Sequence, residues 1–389
     1  MKMKKSLFFS VLMLGALVFA GCQKEETPQT DTTKLWRAQE DKGTDYGYIN
    51  EKGKFIISAK FLSASSFSNG YAYVKEGIND DYAFIDKTGK VVLAEANDYD
   101  GVFYNGVCIY RDGKDYGYID KSFKTVCVPQ FAVLSEMTAD GLALCLEQGE
   151  SLLAYCDKNG KIVIPAQFQY ASPFAGGVAV VVEVDKEGVE RYGLINTKGN
   201  FVVDYNKTPM RNLGEGMIAF LNSSDKVGLL NSKGKEILSA TYDGISEFSE
   251  GLAPVYKGEK TGYINTKGDV VIELQKFEGV SSFYDGVAWV KKANSEKYDL
   301  INKKGDVVLT LTSAQVPQSY FHNGLALVRN TDTNKMQYID KKGNKIYSWE
   351  PGGFSYAPSA EEALKEDFRS TEVGALKMSN EALKEALRK

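Results

Sequence analysis

The sequence predicts an all-β chain of tandem repeats, each of about four short antiparallel strands. The stretch "YGYINEKGKFII" from Tyr46 returns as "YGYIDKSFKTVCV", "YGLINTKGNFVV" and "TGYINTKGDVVI". Nine registers begin at Tyr46, Tyr82, Tyr116, Leu153, Tyr192, Val227, Thr261, Tyr298 and Met336, spaced 34 to 39 residues apart. Self-similarity at that period marks a propeller, solenoid or array. Turn signals of fixed form recur in every register, and 23 Tyr and 20 Phe suit strands rather than helices.

The chain opens on "MKMKKSLFFSVLMLGALVFAGC". Lys2, Lys4 and Lys5 precede a 13-residue apolar run, Leu7 to Phe19, too short to span a bilayer. Residues 1–21 therefore read as a secretory signal peptide. "FAGC" resembles the bacterial lipoprotein lipobox, with Phe19 where that pattern prefers Leu. The resemblance implies acylation of Cys22, including palmitate, and acyl chains anchor through buried methylenes. An ordinary signal peptide with an incidental cysteine is the alternative. "QKEE", Gln23 to Glu26, resembles the surface-export signal of Bacteroidetes lipoproteins. That implies an outer-membrane protein facing outward, against a plain solvated tether over residues 22–34.

Residues 35–351 form the array. The fourth position of each register is apolar throughout, from Ile49 to Ile339, and the third is apolar or aromatic, as in Tyr48, Tyr118 and Tyr263. Adjacent strand residues face opposite ways, so this strand is expected to be covered on both faces. The fifth position is always Asx: Asn50, Asp86, Asp120, Asp157, Asn196, Asn231, Asn265, Asn302 and Asp340. Glycine follows three residues later, the pattern of a type I turn leading into a bulge. Register three has Phe123 there, so its turn is expected to differ, since Phe at positive φ is strained. A returning strand follows ("KFIIS", "KVVLA"), then an irregular segment, then a glycine opening a strand such as "GLAPVYK".

The frame "GLAxV … YGYIDKxGKxVIPxxF" resembles the WG-repeat (KWG) family of bacterial β-repeats over roughly residues 35–350. Tyr replaces the family's Trp at Tyr46, Tyr82, Tyr116, Tyr192 and Tyr298, while Gly47, Gly117, Gly193, Gly228 and Gly262 keep its glycine. The resemblance implies a β-repeat architecture and little about activity. The array is read as propeller-like or as an open β-repeat array. "LWRAQE" reads as the last strand of a missing preceding unit and "MQYIDKKGNKIYSW" as the first strands of a following one. Such offset ends suit ring closure by strand exchange, although eight full units plus two partial ones sit at the upper limit of propellers. Residues 352–389 read as a linker and a helical or disordered tail, with a capping box at Ser359 and Glu362.

Candidate chemistry is sparse. A single histidine, His322, excludes sites that need two imidazoles. Nine Asx in register suggest calcium ligands less than turns, because calcium needs several oxygens at one point. No metal site and no cofactor is expected. Cys145 and Cys156 flank a predicted hairpin and are the best-placed disulfide pair in an oxidising compartment. With Cys108 and Cys127 they read rather as four small buried hydrophobes, since Cys108, Cys145 and Cys156 stand where other units have Ala, Val and Ile. Asp140, Glu215, Glu250 and Asp285 precede turn glycines and suggest an acidic rim, against ordinary turn chemistry. Net charge is −4, and with 44 basic against 51 acidic residues in the chain after residue 21 it is −7. No run of Lys or Arg offsets this, which argues against a nucleic-acid partner.

The expected function is that of a lipid-anchored binding or scaffolding module at the cell envelope, not an enzyme, with a protein or glycan partner on its variable loops. Those lie near residues 61–69, 95–105, 130–140, 204–214 and 312–323. The rival readings are a carboxylate-dependent hydrolase acting on glycans and a purely structural spacer.

Overall fold

The computed structural model describes residues 34–352. The expected signal peptide, Cys22, nearly all of the expected tether, and the expected helical or disordered tail lie outside them. Among the described residues there are thirty-three strands, from β1 (Trp36–Gln39) to β33 (Lys345–Trp349), and no helix. They form eight antiparallel sheets arranged as a β-propeller.

One sheet shows the pattern. β14 (Tyr170–Ala171), β15 (Val178–Val184), β16 (Glu190–Asn196) and β17 (Phe201–Asn206) run as a meander, each paired with the next. The repeated motif supplies the third strand, the Asx turn and the fourth strand. Asn196 has the expected geometry: Oδ1 accepts the N–H groups of Lys198 (2.9 Å) and Asn200 (3.2 Å), and Gly199 follows at φ 80°. The third and fourth registers share one six-stranded sheet. A single ten-residue strand, β10 (Thr125–Leu134), pairs with β9 (Asp115–Asp120) at its start and with β11 (Ala143–Glu147) at its end.

The second and third strands are covered on both faces, as their apolar residues require. On β11 and β12 (Leu153–Cys156), Leu144, Leu153 and Tyr155 join a cluster with Phe168, Phe174 and Ile195 of the following unit. Ala143, Cys145, Ala154 and Cys156, on the opposite face, pack with Tyr118 of the preceding unit, Phe131 of the shared strand and Met137. The third-position tyrosine also reaches forward. Tyr48, Tyr155 and Tyr263 donate their hydroxyls to the carbonyls of Ser65, Ser172 and Ser281, 2.7 to 2.8 Å away, at the start of the next unit. Tyr118 does the same to Ser135. Burial raises the Tyr155 and Tyr263 pKa values well above the ordinary phenol range, so both remain donors. Where Leu300 replaces the tyrosine, the Trp289 indole N–H takes over, bonding the Ser319 carbonyl at 3.1 Å.

The glycine of the motif answers a bulge. Between β2 (Tyr46–Ile49) and β3 (Phe55–Phe61), Tyr46 faces Phe61 but Tyr48 faces Ile57, so β3 carries extra residues opposite Gly47. A Cβ on Gly47 would lie 2.5 Å from the Ile57 carbonyl oxygen and 2.6 Å from the Ala59 nitrogen. In the last two registers the ladder is regular at this point, and Asp299 and Gln337 stand there instead.

Two expectations are corrected. The third turn does not differ: Phe123 takes φ 59°, its N–H bonds Asp120 O at 2.9 Å, and Asp120 caps Ser122 and Lys124 as elsewhere. Its ring offsets the strain by packing on Tyr71 (5.0 Å), Phe84 (5.4 Å) and Phe103 (5.8 Å). The ring also does not close by strand exchange. β1 pairs only with β2, Trp36 opposite Ile49, and so forms the second-strand position of the first unit, whose sheet has three strands. β33 completes the last sheet. The seam closes by packing of Trp36, Ala38 and Ile49 on Leu325 and Trp349. Polar bonds seal it: Tyr338 hydroxyl to Arg37 O (2.8 Å), Tyr347 hydroxyl to Gln39 O (2.9 Å) and Lys42 N–H to Glu350 O (2.7 Å).

Candidate functional site at the ring axis

Each second strand opens from a tight turn. Residues such as Asn69–Gly70, Glu250–Gly251 and Asp285–Gly286 both have positive φ, a type I′ turn. Asn fits that conformation, whereas Glu and Asp there cost on the order of 1 kcal/mol. The acidic residues are held by the neighbouring unit. Gly177 N–H donates to Asp140 Oδ1 at 2.9 Å, Gly251 N–H to both Glu215 oxygens at 3.1 Å, Gly286 N–H to Glu250 Oε2 at 2.9 Å and Gly324 N–H to Asp285 Oδ2 at 2.6 Å. Asn105 bonds the Met137 carbonyl, and Asn69 the Phe103 carbonyl, in the same sense. Equivalent turns of successive units thus lie one side chain apart. In a ring of splayed blades that places them at the axis.

The acidic rim is therefore real as a geometric ring, but its carboxylates clamp one unit to the next. Lys303 Nζ adds a 3.0 Å ion pair to Glu250 Oε2 and a 2.9 Å bond to its carbonyl, and Lys341 bonds the Asp285 carbonyl. Asp140 Oδ2 is buried with no partner. The ninth place in the ring is taken by the entering chain, where Lys34 Nζ reaches Asn323 O (3.4 Å) and Trp36 Nε1 donates to His322 O (3.0 Å). His322 itself lies in the turn, its Nε2 2.7 Å from Asn323 Nδ2.

The remaining candidates are dispersed. All four described cysteines are thiols and buried. Cys145 faces Ala154 and Ala143 faces Cys156, so the two thiols are diagonal neighbours on one face. A hydrogen bond to Cys145 and burial hold the Cys156 thiol protonated, and burial pushes Cys108 up to about 12. Each Asx side chain caps its own turn. Among the described residues no group of three or more His, Cys, Asp or Glu is placed to hold a metal ion. Four of the five variable segments insert a buried anchor, Phe103, Met137, Leu213 or Phe321.

One cluster escapes sequence reasoning. Tyr104, in an axial turn, hydrogen-bonds Glu136 of the next unit, and Asp100 lies near both. Burial raises Glu136 above the ordinary carboxylate range, partly opposed by the Tyr104 bond and reinforced by the charge of Asp100. The signal was faint: Glu136 occupies a place held by Ser66, Pro173 and Ser282 in other units. Because folding raises its pKa, Glu136 contributes stability below its unfolded pKa, and that contribution is lost as pH rises through the folded value. Melting temperatures at pH 5, 6, 7 and 8 are expected to show a fall with rising pH that Glu136→Gln flattens. Parallel profiles would refute the assignment.

Four segments match the family model described as "WG containing repeat": residues 46–77, 154–186, 228–260 and 262–295. No curated protein sequence matches the chain. Among solved structures it is similar to apo AztD from Citrobacter koseri, with 13% identity, a TM-score of 0.41, and coverage of 83% of this chain and 96% of that one. It is also similar to BamB from Moraxella catarrhalis, with 10% identity, a TM-score of 0.35, and coverage of 75% and 88%. The bulge-facing glycine, the Asx turn and the four matched segments agree, and the chain carries WG-type repeats folded as a β-propeller.

Proposed function

We propose that the protein is an exported, lipid-anchored propeller that acts as a binding or scaffolding module at the outer membrane. The observation that carries this reading is the use of its polar residues. The axial carboxylates bond backbone amides of the next unit, and the Asx side chains cap turns. What is left for partners is surface, presented on a rigid closed ring. Ligand choice in such scaffolds lies in loops, and a protein or glycan partner suits the tyrosine-bearing turns, such as Tyr284 against Tyr320 at 4.4 Å. The anchor rests on Cys22 and the lipobox. Cys22→Ala is expected to abolish fatty-acid labelling and move the chain from the membrane to the soluble fraction, and unchanged fractionation would refute the anchor. Protease shaving of intact cells tests surface exposure, since a protected chain excludes it. The second reading, a carboxylate-dependent hydrolase, draws on Glu136 beside Asp100. It requires a glycan-cleaving activity that Glu136→Gln abolishes.

A further inference from the structure

The nine Asx turns lie on one face of the ring. In each unit the end of the third strand pairs with the start of the second, Asn196 opposite Val178 and Asp340 opposite Leu325, so these turns sit beside the axial turns. The five residues from each Asx onward hold sixteen lysines against seven acidic residues in all. Four of those seven are the capping Asp86, Asp120, Asp157 and Asp340, whose Oδ1 atoms accept turn N–H groups. The turns of the opposite face are acidic. The loops between second and third strands hold thirteen acidic residues and five lysines. The axial loops of the lysine face add Asp100, Glu136, Asp140, Glu215, Glu247, Glu250 and Asp285 and no lysine, so that face holds sixteen lysines against fourteen acidic residues, with the lysines in the Asx turns and the added acids in the loops at the axis. The lysines were invisible as a cluster because they recur one repeat apart.

A second observation gives the lysine face a direction. The first residue of β1, Trp36, pairs with Ile49, immediately before the turn at Asn50, and Lys34 contacts the axial turn at Asn323. The chain therefore enters the ring through the centre of the lysine face. At the other end Gly352 N–H bonds Gly43 O, in a loop of the acidic face. The axial carboxylates share the lysine face: Asp140, Glu215, Glu250 and Asp285 each accept an amide of the next unit, and Lys303 and Lys341 reach the axial turns themselves, at Glu250 and Asp285.

We propose that the lysine face docks on a bilayer surface of phosphate-bearing lipids, the one in which the Cys22 acyl chains are embedded. This rests on the anchored reading above. A ring of lysine-bearing turns on one face offers ammonium groups to headgroup phosphates, and each lysine held within a Debye length, about 10 Å at 0.1 M salt, adds to the attraction. The acidic face then points away from the membrane with its loops open to partners.

The test uses residues 22–389 with Cys22→Ser, so that no acyl chain contributes. Co-sedimentation is measured with vesicles of phosphatidylcholine alone and of phosphatidylcholine with about one third phosphatidylglycerol. Binding is expected only to the anionic vesicles at 50 mM salt, and is lost at 0.5 M. Replacing the exposed Lys52, Lys54, Lys233 and Lys235 by Gln is expected to weaken it on the order of a hundredfold. Replacing Lys42, Lys114, Lys186 and Lys297 of the other face by Gln is expected to leave it unchanged, and circular dichroism checks that both variants fold. No binding to anionic vesicles at low salt, equal loss from both sets, or binding to duplex DNA without binding to vesicles would each overturn the proposal. The Cys22→Ala fractionation is independent of this, so loss of the anchor and loss of docking are told apart.

Discussion

Gly47→Val is expected to destabilise the ring by more than about 4 kcal/mol, enough that the chain aggregates or melts far below the parent. The mechanism is main-chain collision. The new Cβ would lie 2.5 Å from the Ile57 carbonyl and 2.6 Å from the Ala59 amide nitrogen, in a bulge that has no side chain to swing aside. Relief requires β3 to lift from β2, which would uncover Tyr48 and Ile57, both buried. The contrasting substitution is Gln337→Ala at the same place in the last unit. There the ladder is regular, and a change of about 1 kcal/mol or less is expected. Thermal unfolding of the two variants separates them. Equal effects would mean that the bulge is not what selects glycine.

Trp349→Ala is expected to cost about 3 to 5 kcal/mol, the range for removing a large buried ring. Trp349 is 4% exposed, donates Nε1 to Gln39 Oε1 at 3.1 Å, and packs against Tyr338 and Tyr347. Its loss opens the seam, where the first and last units meet through side chains and a few main-chain bonds rather than through a full ladder. Hydrogen exchange is the decisive measurement. Amides of β1 and β33 should lose protection together while those of β24 (Lys260–Asn265), across the ring, keep theirs. Trp349→Phe should recover much of the stability. Uniform loss of protection would show that the seam is not a local weak point.

The hairpin frame was legible because its chemistry is local. Asn50 and Gly53 specify their turn within five residues, and strand alternation places Tyr48 and Ile49 on two faces without knowledge of the neighbours. Two strands at the chain ends were misplaced because a strand's role depends on its partner. Trp36–Gln39 looks like a terminal strand in isolation and becomes a second strand only by pairing with Tyr46–Ile49. Phe123 was misjudged for a similar reason, since its strain is visible in the sequence but the rings of Tyr71, Phe84 and Phe103 that offset it are not. At the axis the sequence shows Glu250 before a turn glycine. It does not show that the oxygen is taken by Gly286, a full repeat away.

The forward bond from each tyrosine hydroxyl to the next unit's serine carbonyl, together with the shared strand β10, bears on how such a chain changes over generations. Repeats arise by duplication and are lost by recombination between copies, and an open stack survives either event with a longer or shorter end. This ring has no free end to absorb the change. Deleting one unit would leave Tyr338 and Trp349 short of Arg37 and Gln39, and every remaining interface would have to widen its angle by the same amount to restore the seam. The number of units is therefore constrained as a whole, while any one of them can vary, as Ala154, Asp299 and Gln337 at the glycine's place and Phe123 in the turn show.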